Sequence, residues 1–431
     1  MQSLKKTGKY QRVKVGTQDF LNKKMTTDIF LLNISGQDRP GLTSKLTSVL
    51  ADYGAKVLDI GQANIHDTLS LGILFEISSG KKSASVLKDL LFKAYELDVQ
   101  AKFKPITPKD YESWVSLQGK DRFVVTILGK KLAAEQISEV TKIISEKNLN
   151  IDAIKRLTGR ISLKHSHTSP RASIQLSIRG KIDDKTSLTE QFMKVSKQLN
   201  VDIAFQEDNI FSRNRRLVCF DMDSTLIQTE VIDEIAEVAG VGDQVKKITE
   251  MAMQGQLDFD ESFKKRMKLL KGVKETSLQK IAERLPITNG AKRLIDTLHS
   301  YGFKTAILSG GFSYFGNYLK QKLDIDYVFA NQLEIKNGEL TGHYIGDIVN
   351  GEKKAAYLKN IADEMGIDIN QTIAIGDGAN DLPMLSLAGL GIAFHAKQKV
   401  KDNAQSSISS MGLDGVLYLL GYHDRHIDLL D

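Results

Sequence analysis

Apolar positions along this chain keep two spacings, and the succession of the two is met twice. Residues 27–105 open with an apolar run, Ile29–Ile34, that reaches Gly36. Leu42, Leu46, Val49 and Leu50 then recur at helical spacing. Strand-like Leu69–Ile77, helix-like Ala84–Tyr95 and a short closing strand, Val99–Phe103, complete the passage. Residues 121–206 run the same way: Phe123–Leu128 to Gly129, a helical pattern on Ile137, Val140 and Ile144, then Ala172–Ile178, Leu188–Leu199 and Val201–Phe205. In both passages an aspartate, Asp59 or Asp152, stands 23 residues beyond the glycine in a strand-like run. The order β-α-β-β-α-β predicts two antiparallel sheets, each with both helices on one face.

The pattern then changes. Strand-like Leu217–Phe220, Thr305–Leu308 and Thr372–Ile375 alternate with helical Ala291–Ser300, Phe315–Lys322, Lys354–Met365 and Leu382–Leu387. That alternation predicts an α/β, doubly wound parallel sheet. About 80 residues separate its first two strands, far more than a βα turn needs. Helical patterns fill them, on Val231, Ile235 and Val238, on Val245, Ile248 and Met251, and on Phe259, Phe263, Met267 and Leu270. A helical cap over about residues 228–287 is expected. The full reading is a C-terminal α/β core at 215–431 preceded by two ferredoxin-like α+β domains, at 25–108 and 120–206. Pro105–Lys120 and Glu207–Arg216 read as linkers.

Charge adds one segment. The formal charge of +6 equals that of residues 1–24, which hold seven Lys/Arg and one Asp. The remainder is neutral, so the basic bias belongs to an N-terminal extension and not to a nucleic-acid-binding face. No run approaches the roughly 20 apolar residues of a membrane span. Cys219 is the single cysteine, which excludes an internal disulfide and fits a cytoplasmic protein. His343 and His395 stand alone, without zinc-ligand spacing.

Polar groups gather where the predicted strands end. Asp221 and Asp223 follow the first, one residue apart, and a continued strand would put both on one face. Ser309-Gly310-Gly311 follows the second, and Gly376-Asp377-Gly378-Ala379-Asn380-Asp381 the third. Lys354 opens a helical pattern between them. In such sheets ligands bind beyond the carboxyl ends of the strands, so these groups should meet on one rim.

This ordered set resembles the haloacid-dehalogenase-like phosphatases over residues 215–431. The resemblance implies phosphoryl transfer through an aspartyl intermediate, with Asp221 as nucleophile and Asp223 as general acid, then base. It implies Mg2+ held by Asp221, Asp377 and the Asp223 carbonyl. Ser309, Gly310 and Lys354 would bind the phosphoryl group, with Asn380 and Asp381 in support. In the cap, Glu230, Arg266 and Phe259 are similar to the phosphoserine phosphatases. That likeness implies O-phosphoserine as substrate, its ammonium at Glu230, its carboxylate at Arg266, and Phe259 lining the closed cap. Asp38-Arg39-Pro40-Gly41 resembles the turn of an ACT domain, which implies an amino-acid effector near Asp38 and Gly41 and a homodimer. The second copy reads Gly129-Lys130-Lys131-Leu132 there and lacks Pro-Gly. Action on another small phosphate, such as phosphothreonine, and a non-catalytic amino-acid sensor remain as alternatives.

Overall fold

The computed structural model describes residues 27–117, 119, 121–160 and 171–427. The basic extension expected over 1–24 lies outside them. The chain forms two compact units, up to Gly119 and from Lys120 onward.

The first unit follows the expected plan: β1 (Thr27–Gln37), α1 (Leu42–Asp52), β2 (Lys56–Ile65), β3 (Thr68–Ser78), α2 (Lys81–Glu96) and β4 (Val99–Ile106). The sheet is antiparallel, in the order β2-β3-β1-β4. Alternate residues of β3, Leu69 to Ile77, are buried with Leu32 and Ile34 of β1. Leu42, Leu46 and Leu50 of α1 and Val86 and Leu90 of α2 close over that face. The expected linker from Pro105 is instead the end of β4 and a further helix, α3 (Pro108–Val115). Thr107 accepts the Asp110 amide and Pro108 takes the first helical turn. That capping signature outweighs the reading of two prolines as a linker.

The second unit begins with the other copy: β5 (Arg122–Gly129), α4 (Ala134–Glu146), β6 (Asn150–Arg156), β7 (Ala172–Arg179), α5 (Lys185–Leu199) and β8 (Asp202–Glu207), in the order β6-β7-β5-β8. The expected linker after Glu207 contains a short turn of helix, α6 (Ile210–Arg213), capped by Asn209. There follow β9 (Leu217–Phe220), α7 (Val231–Ala239), α8 (Gly242–Met253), α9 (Phe259–Leu269), α10 (Glu275–Arg284), α11 (Ala291–Ser300), β10 (Lys304–Phe312), α12 (Ser313–Leu323), β11 (Tyr327–Lys336), β12 (Glu339–Ile345), α13 (Gly351–Glu364), β13 (Thr372–Gly376), α14 (Leu382–Leu387), β14 (Leu390–Phe394), α15 (Gln398–Lys401) and β15 (Ser406–Ile408). The sheet runs β12-β11-β10-β9-β13-β14-β15. All its pairs are parallel except β11–β12, an antiparallel hairpin at the edge. Helices α7–α10 lie between β9 and α11 in the chain, where the cap was expected; Val238 and Met251, on last helical turns, stay partly exposed.

One feature of this unit was not foreseen. Leu128 and Ala204 of the second ferredoxin-like sheet, with Leu157 just past β6, belong to the same buried cluster as Val416, Leu417 and Tyr418. Burial of such side chains contributes about 1.5–3 kcal/mol each, so this copy and the α/β core fold around shared apolar contacts.

Candidate active site

The strand order reverses at β9, with β10 on one side and β13 on the other. Register sets Phe220 beside Ile307 and Ile375. One step further, Asp221, Leu308 and Gly376 are level, with Ser309 and Asp377 next. Parallel pairing therefore delivers three polar segments to one rim, the switch point where such sheets bind ligands. The Asp221 amide donates to the Ile375 carbonyl at 2.8 Å and fixes the level.

The strand stops at Phe220, so Asp221 and Asp223 do not meet by alternation as expected. A tight turn over Met222–Leu226, with Ser224 at φ 57°, brings them together. Asp223 accepts the Val231 amide at 3.0 Å, at the start of α7, where the helix end favours negative charge. The Ser224 hydroxyl donates to Glu230 at 2.8 Å, and Thr225 to Asp377 at 3.4 Å.

Lys354, in the first turn of α13, is wholly buried. Its Nζ lies 2.7 Å from Asp221 Oδ1 and 2.6 Å from Asp381 Oδ1. The second Asp381 oxygen accepts the Gly378 amide at 2.9 Å. Carboxylate oxygens of Asp221, Asp377 and Asp381 all lie within 4.8 Å of one another. Burial first, then Asp381 and Asp377, push the Asp221 carboxyl well above its usual range, against the pull of Lys354. Asp223 is raised by burial, then by Glu230 and Asp221. Asp377 is pushed up to about 7, by burial and then by Asp381 and Glu230. Burial opposes the Lys354 ammonium, but Asp221 and Asp381 outweigh it and hold its pKa above the ordinary value. So many buried carboxylate oxygens around a single ammonium fit a hard, oxygen-seeking divalent cation.

Ser309 is fully buried and its hydroxyl accepts the Gly311 amide at 2.9 Å. A side chain on Gly311 would collide with the Asp223 carboxylate and with Met222. One on Gly310 would come within 2.9 Å of the Phe259 ring. Both positions demand glycine for close approach. Asn331, missed in the sequence, holds this loop: it donates to the Gly310 carbonyl and accepts the Val349 amide, each at 2.8 Å. A polar residue after the apolar Val328-Phe329-Ala330 was the available signal.

Phe259 opens α9 and stacks on Phe263 with centroids 6.4 Å apart. Arg266, on the same helix, donates to the Ser262 carbonyl at 3.4 Å and has no ion pair among the described residues. Burial lowers its pKa, with Asp233, Glu230 and Asp223 opposing. Glu230, Arg266, Phe259, Gly310, Asp377 and Asn380 line one cavity of about 1500 Å³, together with Asp221 and Asp223. Every residue expected at the site over 215–431 therefore lies on this cavity or directly behind it. Asp38 and Gly41 stand in the first unit, where Gly41 takes φ 89° before α1 and Asp38 accepts from Asn64.

The sheet, the cap and the carboxylate–lysine cluster define a haloacid dehalogenase-like hydrolase. The family model of that description matches residues 218–386, and ACT domain models match 28–104 and 122–206. The phosphoserine phosphatase SerB2 of Mycobacterium tuberculosis is 35% identical over 404 residues, 93% of this chain and 95% of that protein. The phosphoserine phosphatase of Streptomyces coelicolor is 35% identical over 95% of this chain and 97% of its own. Among solved structures, a probable phosphoserine phosphatase from Vibrio cholerae superposes with a TM-score of 0.55 at 35% identity, covering 73% of this chain and 90% of that one. The chain belongs to the phosphoserine phosphatase family.

Proposed function

We propose that this protein hydrolyses O-phosphoserine to serine and phosphate, the last step of serine synthesis by the phosphorylated route. The observation that carries the reading is the buried Asp221–Lys354–Asp381 chain beside Asp377, at the carboxyl ends of adjacent strands. Asp221 attacks phosphorus through a carboxylate oxygen, and the serine alkoxide leaves. Asp223, whose raised pKa keeps a proton available, gives that proton to the leaving oxygen. It then takes one from the water that opens the aspartyl phosphate. Lys354, the Ser309 hydroxyl and the Gly310 amide face the phosphoryl oxygens and balance their charge. Mg2+ would be held by Asp221, Asp377 and the Asp223 carbonyl; when bound it neutralises charge between nucleophile and phosphate. Asn380 supports that loop, and Asp381 orients Lys354.

Substrate choice rests on the cap. Glu230 takes the ammonium, and Arg266, without an ion pair of its own among the described residues, takes the carboxylate. Phe259 packs over Gly310 and excludes water. A phosphate-release screen over small phosphate esters, with Mg2+ and with EDTA, tests the reading. Phosphoserine should rank first and EDTA should abolish release. Asp221→Asn should lose at least about 10³-fold in kcat, and Arg266→Ala should raise KM for phosphoserine about tenfold or more. A higher rate on phosphothreonine, or undiminished turnover by Asp221→Asn, would overturn it.

The ACT domains supply amino-acid control, with an effector at the Asp38–Gly41 turn of the first. Phe92 and Tyr95, both exposed and three residues apart on α2, support a homodimer, because large apolar side chains grouped on one helix face mark interaction surfaces. A cytoplasmic setting agrees with a single buried thiol, Cys219.

A further inference from the structure

The active-site cavity is larger than its substrate requires. About 1500 Å³ exceeds the roughly 300–1,000 Å³ that encloses a whole drug-sized ligand, and phosphoserine is far smaller. The surplus extends away from Asp221 to the second ferredoxin-like sheet. Lys130, just after β5, and Arg171, just before β7, line it together with Lys397 and Lys399 at the start of α15. Lys130 and Lys399 are exposed. Arg171 bonds Asp414 at 2.8 Å, and Asp414 also meets Arg293 at 2.9 Å, so that acid is already compensated. The outer part of the cavity is therefore basic, while its floor, with Asp221, Asp223, Asp377 and Glu230, is acidic.

The wall that carries these groups is fixed. Asp202, 2% exposed, accepts the Ser409 and Ser410 amides and the Ser410 hydroxyl at 2.7, 3.0 and 2.6 Å. His395 holds a left-handed φ of 47° and its Nε2 lies 2.8 Å from the Met411 carbonyl. The second copy is thus bound to the loop at the cavity edge through Asp202, whose pairing partner Leu128 lies two residues before Lys130. The β5–α4 turn reads Lys130-Lys131-Leu132-Ala133 before α4 and lacks the Pro40-Gly41 that precedes α1 in the first copy.

We infer that Lys130, with Arg171 and Lys399, forms an anion-collecting vestibule that draws phosphate monoester dianions toward the acidic catalytic floor. The second ACT domain is then part of the substrate path. A dianion approaching several carboxylates meets repulsion, and cations at the cavity mouth offset it over a distance salt can screen. The inference rests on the phosphatase reading, and its test separates the two.

Lys130→Glu and Lys399→Glu should each lower kcat/KM for phosphoserine about five- to twentyfold in low salt, with the loss carried by KM. The deficit should shrink below about twofold near 0.5 M salt, where the Debye length is a few Å. Lys131→Glu makes the same charge change at an exposed residue outside the cavity and should stay within twofold of wild type. Equal effects of Lys130→Glu and Lys131→Glu, or a salt-independent loss, would overturn the vestibule. Should wild type release no phosphate from phosphoserine, the activity reading falls, while calorimetry with inorganic phosphate and Mg2+ still decides the vestibule. Phosphate binding weakened by Lys130→Glu in low salt supports it, and unchanged binding overturns it.

Discussion

The two ferredoxin-like copies share element order and differ in what their last strand meets. In the first, β4 pairs with β1 and has no buried residue along its length. In the second, β8 pairs with β5, begins with buried Asp202, Ile203 and Ala204, and bonds the catalytic core through Gln206 to the Leu419 carbonyl at 3.0 Å. Register makes the contrast residue-specific. Gln100 pairs with Ser35, one residue before Gly36, and Asp202 pairs with Leu128, one before Gly129. Gln100 is exposed, whereas Asp202 holds three donors from the loop after β15. Duplication supplied one plan twice. One copy shares its core with the catalytic domain through Leu128 and Ala204, and the other closes a core of its own.

Truncation should give the largest effect. Removing residues 1–117 takes away a unit with its own core, so the remainder should stay soluble and release phosphate. Removing residues 1–208 strips Leu128, Leu157 and Ala204 from the shared cluster, at about 1.5–3 kcal/mol for each large side chain. That shorter chain should aggregate or melt far lower. Comparable solubility and melting of the two products would erase the distinction.

Next come the register-matched substitutions. Asp202→Ala leaves the partly buried Ser409 and Ser410 amides without this acceptor and should cost about 1–3 kcal/mol, seen as a lower melting temperature of the catalytic unit. Gln100→Ala should stay within about 0.5 kcal/mol. The turns differ in the opposite sense. Gly41→Ala forces a side chain into φ 89° and should cost the first unit about 1–2 kcal/mol, whereas Lys131→Ala, where φ is not positive, should be near neutral. Hydrogen exchange in each unit reads these effects separately, and an unprotected first unit in wild type would remove the basis for comparing them.

Much of this was legible locally. Ala291–Ser300 and Leu382–Leu387 showed as helices because their apolar spacing and ends lie within one segment. Asp221, Ser309 and Asp377 were found because parallel strands present the same end, and Lys354 because it opens a helical pattern within the ordered set that resembles the family. The β11–β12 hairpin was overlooked although Asn337-Gly338, at φ 55° and 76°, is the strongest short hairpin signal. Helix α10 was also missed. Lys130 on the cavity, Asn331 behind Gly310 and the Asp202 contacts depend on partners tens to hundreds of residues away, which no window of sequence contains. The Lys-Lys turn showed only as the absence of Pro-Gly; its position at the active site came from tertiary packing.

The smallest expected effect is a dependence on pH confined to the second copy. Burial, against the pull of Ser410, Ser409 and His395, holds the Asp202 carboxyl above its unfolded value of 3.8. The folded state therefore binds this proton more tightly than the unfolded state. Its stabilising contribution is fully present below 3.8 and fades as pH rises through the folded value, then stays constant. Asparagine cannot ionise, so the stability of Asp202→Asn relative to wild type should improve as pH rises from about 4 and then level off. Gln100→Asn in the first copy should show a difference independent of pH. Urea denaturation of both pairs across that window measures it. A constant offset for Asp202→Asn would mean that its carboxylate ionises as easily against Ser409 and Ser410 as in the unfolded chain, and the tight joint between second copy and catalytic core would then have to be looser than these hydrogen bonds describe.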